Sequence, residues 1–139
     1  MADFLARYRG LTMLEHSTDG EEAEGITPAL SRHVASALAK YTGRGPNRVR
    51  VRVASDCITV LTEGVLTRSE QLLVEHEKTE AAQVSRDAFQ DVLEQELVAG
   101  VERLTGRSVI TLLSAHDVEA DLASDVFVLA PAEGPSGTD

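Results

Sequence analysis

A chain of 139 residues has the length of one domain, and a 42% hydrophobic share supplies one core, which must be aliphatic because tryptophan is absent and aromatics make up 4%. A formal net charge of -10 argues against general binding to nucleic acid or to anionic membranes, since both depend on an excess of Lys and Arg. The single cysteine, Cys57, excludes an intramolecular disulfide and a multi-cysteine zinc site, and no apolar run approaches the roughly 20 residues that span a bilayer. No secretion signal opens the chain, so the expectation is a soluble cytoplasmic protein with no direct membrane insertion.

In chain order, residues 1–25 read as an N-terminal extension with an acidic linker. Phe4, Leu5, Tyr8, Leu11 and Leu14 would form one apolar side of a short helix, suited to docking on the domain or on a second copy. His16 to Gly25 is polar, acidic and punctuated by glycine, the composition of a linker. The domain itself is placed at 26–130. Thr27-Pro28 has the form of a helix start, with Leu30, Val34, Leu38 and Tyr41 as its buried stripe and His33 off it. Gly43 suits the position past the helix end and Pro46 stops the helix from resuming.

From Asn47 to Ala54 valine and arginine alternate, which puts Val49, Val51 and Val53 on one side of a strand and Arg48, Arg50 and Arg52 on the other. Ser55-Asp56 is a tight turn, and Cys57 to Glu63 a second strand in which the cysteine is expected to be a small core residue. Thr67-Arg-Ser-Glu70 has the spacing of a capping box, so a helix begins there and should bury Leu72 and Leu73. A break at His76–Thr79 precedes a long helix from Thr79 or Ser85 to Thr105. Its apolar face is expected to hold Val84, Phe89, Val92, Leu93, Leu97, Val101 and Leu104. Ser108–Ala115 and Asp125–Ala130 read as the last two strands, with His116–Ser124 as the connection between them and residues 131–139 as a disordered tail. The fold class is therefore α+β: a small, mostly antiparallel four-stranded sheet of two hairpins, helices on one face, in the order α-β-β-α-α-β-β. The other face then wants cover that a second copy would supply, and a homodimer is expected on that ground.

One chemical candidate is an anion site built from Arg44, Gly45, Arg48, Arg50 and Arg52, because a glycine loop admits close approach and parallel guanidinium groups suit phosphate or carboxylate oxygens. The competing reading is a solvated strand face whose arginines pair with glutamates and discourage edge-to-edge aggregation. Asp117, Glu119, Asp121 and Asp125 lack the glycine and terminal glutamate of a calcium loop, so no metal is expected. Cys57 and the histidines stand in no nucleophile context, so neither enzyme activity nor a cofactor is expected.

Tyr41-Thr-Gly-Arg-Gly-Pro-Asn-Arg-Val-Arg-Val, then Asp56-Cys-Ile-Thr-Val-Leu, Gly64-Val-Leu-Thr-Arg-Ser-Glu-Gln-Leu-Leu, Arg86, Leu104-Thr-Gly-Arg-Ser-Val and Asp125-Val-Phe-Val-Leu together resemble the MpsC-like family. This is a bacterial domain of unknown function named for a sodium-translocating, membrane-potential-generating system, and the resemblance covers Ile26 to Ala130. It implies a soluble partner or regulator of a membrane transport subunit linked to sodium or inorganic-carbon uptake, and it carries no catalytic residues. Gly43, Gly45, Pro46, Gly64, Leu66, Thr67, Glu70 and Gly106 match the pattern as turn, cap or helix-end residues. Arg86 matches too but has no such role, which adds it to the candidate anion site. The expectation is an accessory or regulatory domain working through protein contacts. Its alternative is a sensor of a phosphorylated or carboxylated metabolite at the arginine face. A nucleic-acid module with a KH-like element order is disfavoured by acidity and by the lack of a GxxG clamp in its expected helical context.

Overall fold

A computed structural model describes residues 25–132. The expected N-terminal helix and most of the acidic linker, and residues 133–139 of the expected tail, lie outside the described residues. Helix α1 occupies 25–42, followed by β1 (Arg48–Val53), β2 (Cys57–Glu63), α2 (Arg68–Glu75), α3 (Thr79–Thr105), β3 (Val109–Asp117) and β4 (Leu122–Leu129). The sheet is antiparallel throughout, in the order β1-β2-β4-β3, which leaves β1 and β3 as its edges. The expected α+β class and element order hold.

Alternation along the strands decides where the core sits. Val51, Ile58, Val60, Phe127 and Leu129 point to one face and pack with Leu30, Val34, Ala37 and Leu38 of α1 and Leu93, Leu97 and Val101 of α3. Burying such side chains contributes about 1.5–3 kcal/mol each, and only this face has helices to bury them against. Helix α3 packs on β3, and α1 lies beside α3, so α1 covers the β1–β2 side. The two helices approach closely at Gly100, where a methyl group would overlap the His33 ring. His33 Nε2 lies 3.1 Å from the Glu96 carbonyl oxygen, so this histidine is a helix-crossing contact rather than a surface residue.

Several expectations shift by a turn or a face. Helix α1 is already under way at Gly25, ahead of the expected Thr27 cap, and Pro28 falls within its first described turn, where a missing N–H is tolerated. Leu72, Val84 and Val92 are exposed at 47%, 68% and 54%. Ala82, Leu93, Leu97, Gly100 and Val101 take the buried side of α3, so its inward stripe is narrower than the run of apolar residues implied. The connection read as His116–Ser124 contracts to Val118–Asp121, because β3 and β4 pair to their ends, Asp117 opposite Leu122. Asp117 Oδ1 accepts from the Glu119 and Ala120 backbone N–H groups, each at 3.1 Å, and Asp121 takes a positive φ of 53° to close the hairpin. The break before α3 is where the sequence placed it, with Glu77 at φ 61°.

Candidate functional site: an uncovered sheet face and a buried ionic network

Residues that alternate with the core positions point away from the helices. From β1 to β3 these are Arg48, Arg50 and Arg52; Cys57, Thr59, Leu61 and Glu63; Leu122, Ser124, Val126 and Val128; and Thr111, Leu113 and Ala115. Helices α1 and α3 both pack on the opposite face, and of these residues Arg48, Arg52, Thr111, Leu113 and Ala115 are exposed and the rest half-buried. Leu113 is 58% exposed, and Ile110, pushed out where the register shifts between Val109 and Thr111, is 63% exposed. This face is therefore an apolar strip along β2, β4 and β3 with a row of cations at the β1 edge. Cys57 belongs to it: half-buried and next to the fully buried Ile58, the thiol faces outward rather than into the core.

The arginine row is not uniform. Arg50 Nη2 donates to Glu63 Oε2 at 3.1 Å, and Arg48 Nε lies 3.9 Å from the same oxygen. Exposed pairs of this kind contribute about 0–1 kcal/mol, so they orient the side chains more than they stabilise the strand pair. Arg52 reaches only the Val51 carbonyl oxygen, at 3.1 Å, and has no carboxylate partner among the described residues. Arg44 stands apart. Its guanidinium donates to the Leu66 carbonyl oxygen at 3.4 Å and to Asn47 Oδ1 at 3.1 Å, bracing the loop between α1 and β1. Gly45 is exposed in that loop, and a methyl group there would meet only open space.

Arg86 joins neither group. It lies on the helix side of the sheet, its side chain 3% exposed, with Nη1 3.5 Å from Oε1 of the equally buried Glu70. Glu70 also completes the capping box of α2: Oε1 accepts from the Thr67 backbone N–H at 2.8 Å, while Thr67 Oγ1 accepts from the Glu70 N–H at 3.2 Å. Its second oxygen accepts from Ser85 Oγ at 2.5 Å. Arg86 Nε donates to His116 Nδ1 at 3.2 Å, which leaves Nε2 as the protonated nitrogen of a neutral ring, 3.9 Å from Asp121 Oδ1. That same Asp121 oxygen accepts the Val65 and Leu66 N–H groups at 2.9 and 3.2 Å. A chain of polar contacts thus runs from the start of α2 through α3 and β3 to the β3–β4 turn. Burial lowers the His116 pKa, and the Arg86 charge adds to the effect.

Beside this network Asp125 faces inward from β4, accepting from Ser114 Oγ at 2.5 Å and Gln90 Nε2 at 3.2 Å. Burial raises its pKa, with the two hydrogen bonds opposing the rise. A recess of about 30 Å³ lies between Arg86, Gln90, Ser114 and His116, room for water rather than for a metabolite. No group of His, Cys, Asp and Glu among the described residues is arranged to hold a metal ion.

The six residues expected to form one anion site therefore serve three purposes. Arg48, Arg50 and Arg52 share the uncovered face, Arg44 and Gly45 form a braced loop, and Arg86 is the cation of a buried pair. Its partner Glu70 was recognisable in sequence only as a cap. Nothing in the spacing of the two residues announces that α2 and α3 fold back on each other to join them.

No helix among the described residues is long and apolar enough to cross a membrane. No curated protein and no solved structure matches the chain. A family model described as the Na+-translocating membrane potential-generating system (MpsC) matches residues 23–131, and on that match the chain belongs to the MpsC family.

Proposed function

We propose that this is a soluble, cytoplasmic, non-enzymatic accessory domain that works by protein contact through its uncovered sheet face, in association with the sodium-translocating system its family is named for. The observation that carries this reading is the composition of that face: exposed Leu113 and half-buried Leu61, Val126 and Val128 beside a row of three arginines, on the side of the sheet away from α1 and α3. Apolar side chains gathered on a flat surface and rimmed by charge are what a protein interface presents, the apolar part giving affinity and the rim orientation. A partner with an apolar strip flanked by carboxylates fits it. Four strands at about 4.8 Å spacing give a face of about 400 Å². Two copies meeting there bury less than the roughly 1,200 Å² of a stable complex, so the homodimer is a weak one, populated at high concentration.

Affinity capture of the full chain from its native cell tests the reading. A membrane transport subunit should co-purify with the wild type and be lost with Leu113→Asp, a substitution at an exposed position. Equal recovery with both would contradict it. The metabolite-sensor reading has Arg52, without a carboxylate partner, in its favour; Glu63, which occupies Arg48 and Arg50, weakens it.

A further inference from the structure

We infer that the free edge of β3 is a second contact site, at which an extended segment of a partner protein, with lysine or arginine alternating with apolar residues, adds a strand to the four-stranded sheet. This inference rests on the protein-contact reading above and adds to it a mode of attachment apart from the uncovered face. Backbone hydrogen bonding and charge together specify the occupant.

The register shows which backbone groups are free. The Leu129 N–H donates to the Asp56 carbonyl oxygen at 2.8 Å and the Gly64 N–H to that of Asp121 at 3.1 Å, one at each end of the β2–β4 ladder. Backbone groups of β4 point alternately to its two neighbours, so its odd-numbered residues bond to β2, and Leu122, Ser124, Val126 and Val128 bond to β3. Their partners are Asp117, Ala115, Leu113 and Thr111, and the N–H and C=O groups of Leu112, Ser114 and His116 therefore point out from the edge. No strand among the described residues pairs with them, and a row of this kind is a template for another chain's strand. The two edges of the sheet differ in this respect. Strand β1 carries Arg48, Arg50 and Arg52, charges of the kind that keep an edge from pairing. From Val109 to Ala115, β3 has no charge and no proline, and only the bulge at its start interrupts it.

Charge selects the occupant. Helix α3 runs antiparallel to β3: Glu102 Oε2 accepts the Val109 N–H at 2.9 Å, and Gln90 Nε2 donates to Ser114 Oγ at 2.9 Å. Asp87 lines the recess beside Ser114, Ala115 and His116, and Glu94 stands about one turn from Gln90 on the same flank. Both carboxylates are exposed, and neither has a cation partner among the described residues. A strand added to β3 puts alternate residues on the side of these carboxylates, where lysine or arginine fits, and the others beside Leu113 and Thr111, where apolar residues fit. A second copy's β3 would bring its own Asp87 and Glu94 against the first pair, so the edge favours a different chain. The added strand widens the uncovered face by about 4.8 Å without covering it, so self-association through that face is unaffected.

Amide hydrogen exchange, followed residue by residue by NMR on the full chain, tests the inference with a short peptide in which lysine alternates with valine. The expected result is that the peptide slows exchange several-fold at Leu112, Ser114 and His116 and leaves Leu113 and Ala115, already bonded to β4, unchanged. A peptide of the same composition in scrambled order should have no such effect. Asp87→Lys/Glu94→Lys should lose the response to the alternating peptide, with unchanged circular dichroism. No slowing at the three outward amides, or equal slowing by the scrambled peptide, would overturn the inference. So would slowing at those amides without peptide as protein concentration rises, because a second copy would then hold the edge. Each negative result leaves the uncovered-face reading to the capture experiment, which does not depend on the edge.

Discussion

His116 shows how one side chain ties stability to pH. Its Nδ1 accepts a hydrogen bond from Arg86 Nε, so adding a proton there would set two donors against each other beside a fixed positive charge. With its pKa lowered from 6.5 by burial, the folded protein binds this proton less readily than the unfolded chain does. The stability it contributes is then fully present above pH 6.5 and falls as pH drops from there toward the depressed folded value. Asp125 acts in the opposite sense: its raised pKa means the folded state takes up a proton more readily, so it gains relative stability as pH falls through that value. Thermal melts between pH 7 and pH 5 should show the wild type losing more stability than His116→Gln, which has no titrating ring. Parallel losses in the two proteins would show that the His116 proton does not contribute.

At the scale of elements, the Glu70–Arg86 pair joins α2 to α3. Removing one member strands the other in a site with 2–3% side-chain exposure, and a stranded buried charge costs about 3–5 kcal/mol. Arg86→Met should destabilise the protein by about that amount in urea denaturation, and Glu70→Gln/Arg86→Met by distinctly less. Equal losses would mean that Arg86 matters for packing alone. Most of the elements were legible in the sequence because each has a local signal: valine and arginine alternating along β1, the Thr67–Glu70 box opening α2, Gly106 closing α3 at φ 70°. What was not legible depends on which surfaces meet. Val84 and Val92 fall about 180° and about 100° round α3 from Leu93, off the stripe of Ala82, Leu93, Leu97 and Val101, and counting them into one broad apolar face overstates what the sheet and α1 can bury. The β3–β4 connection reads too wide from sequence because the polar residues at the strand ends, His116, Asp117 and Ser124, resemble a loop. Arg86 has no role legible from spacing because its partner, Glu70, comes from another helix.

For the molecule as a whole, the arrangement of layers is the consequence that matters. One sheet with helices on one side solves the packing of an aliphatic core and leaves the other side of the same strands facing outward. The alternation that puts Val49, Val51 and Val53 inward necessarily puts three arginines outward, so the core and the arginine row are two halves of one sequence pattern. That outward side, on a chain of net charge -10, is the contact surface proposed above. The most direct check is sedimentation of the full chain across a concentration series, wild type against Leu113→Asp. The account predicts a wild-type mass that rises from 14.9 kDa toward twice that value as concentration increases, and a variant that stays at the mass of one chain. An identical concentration dependence in the two proteins would contradict the assignment of the uncovered face as the contact surface.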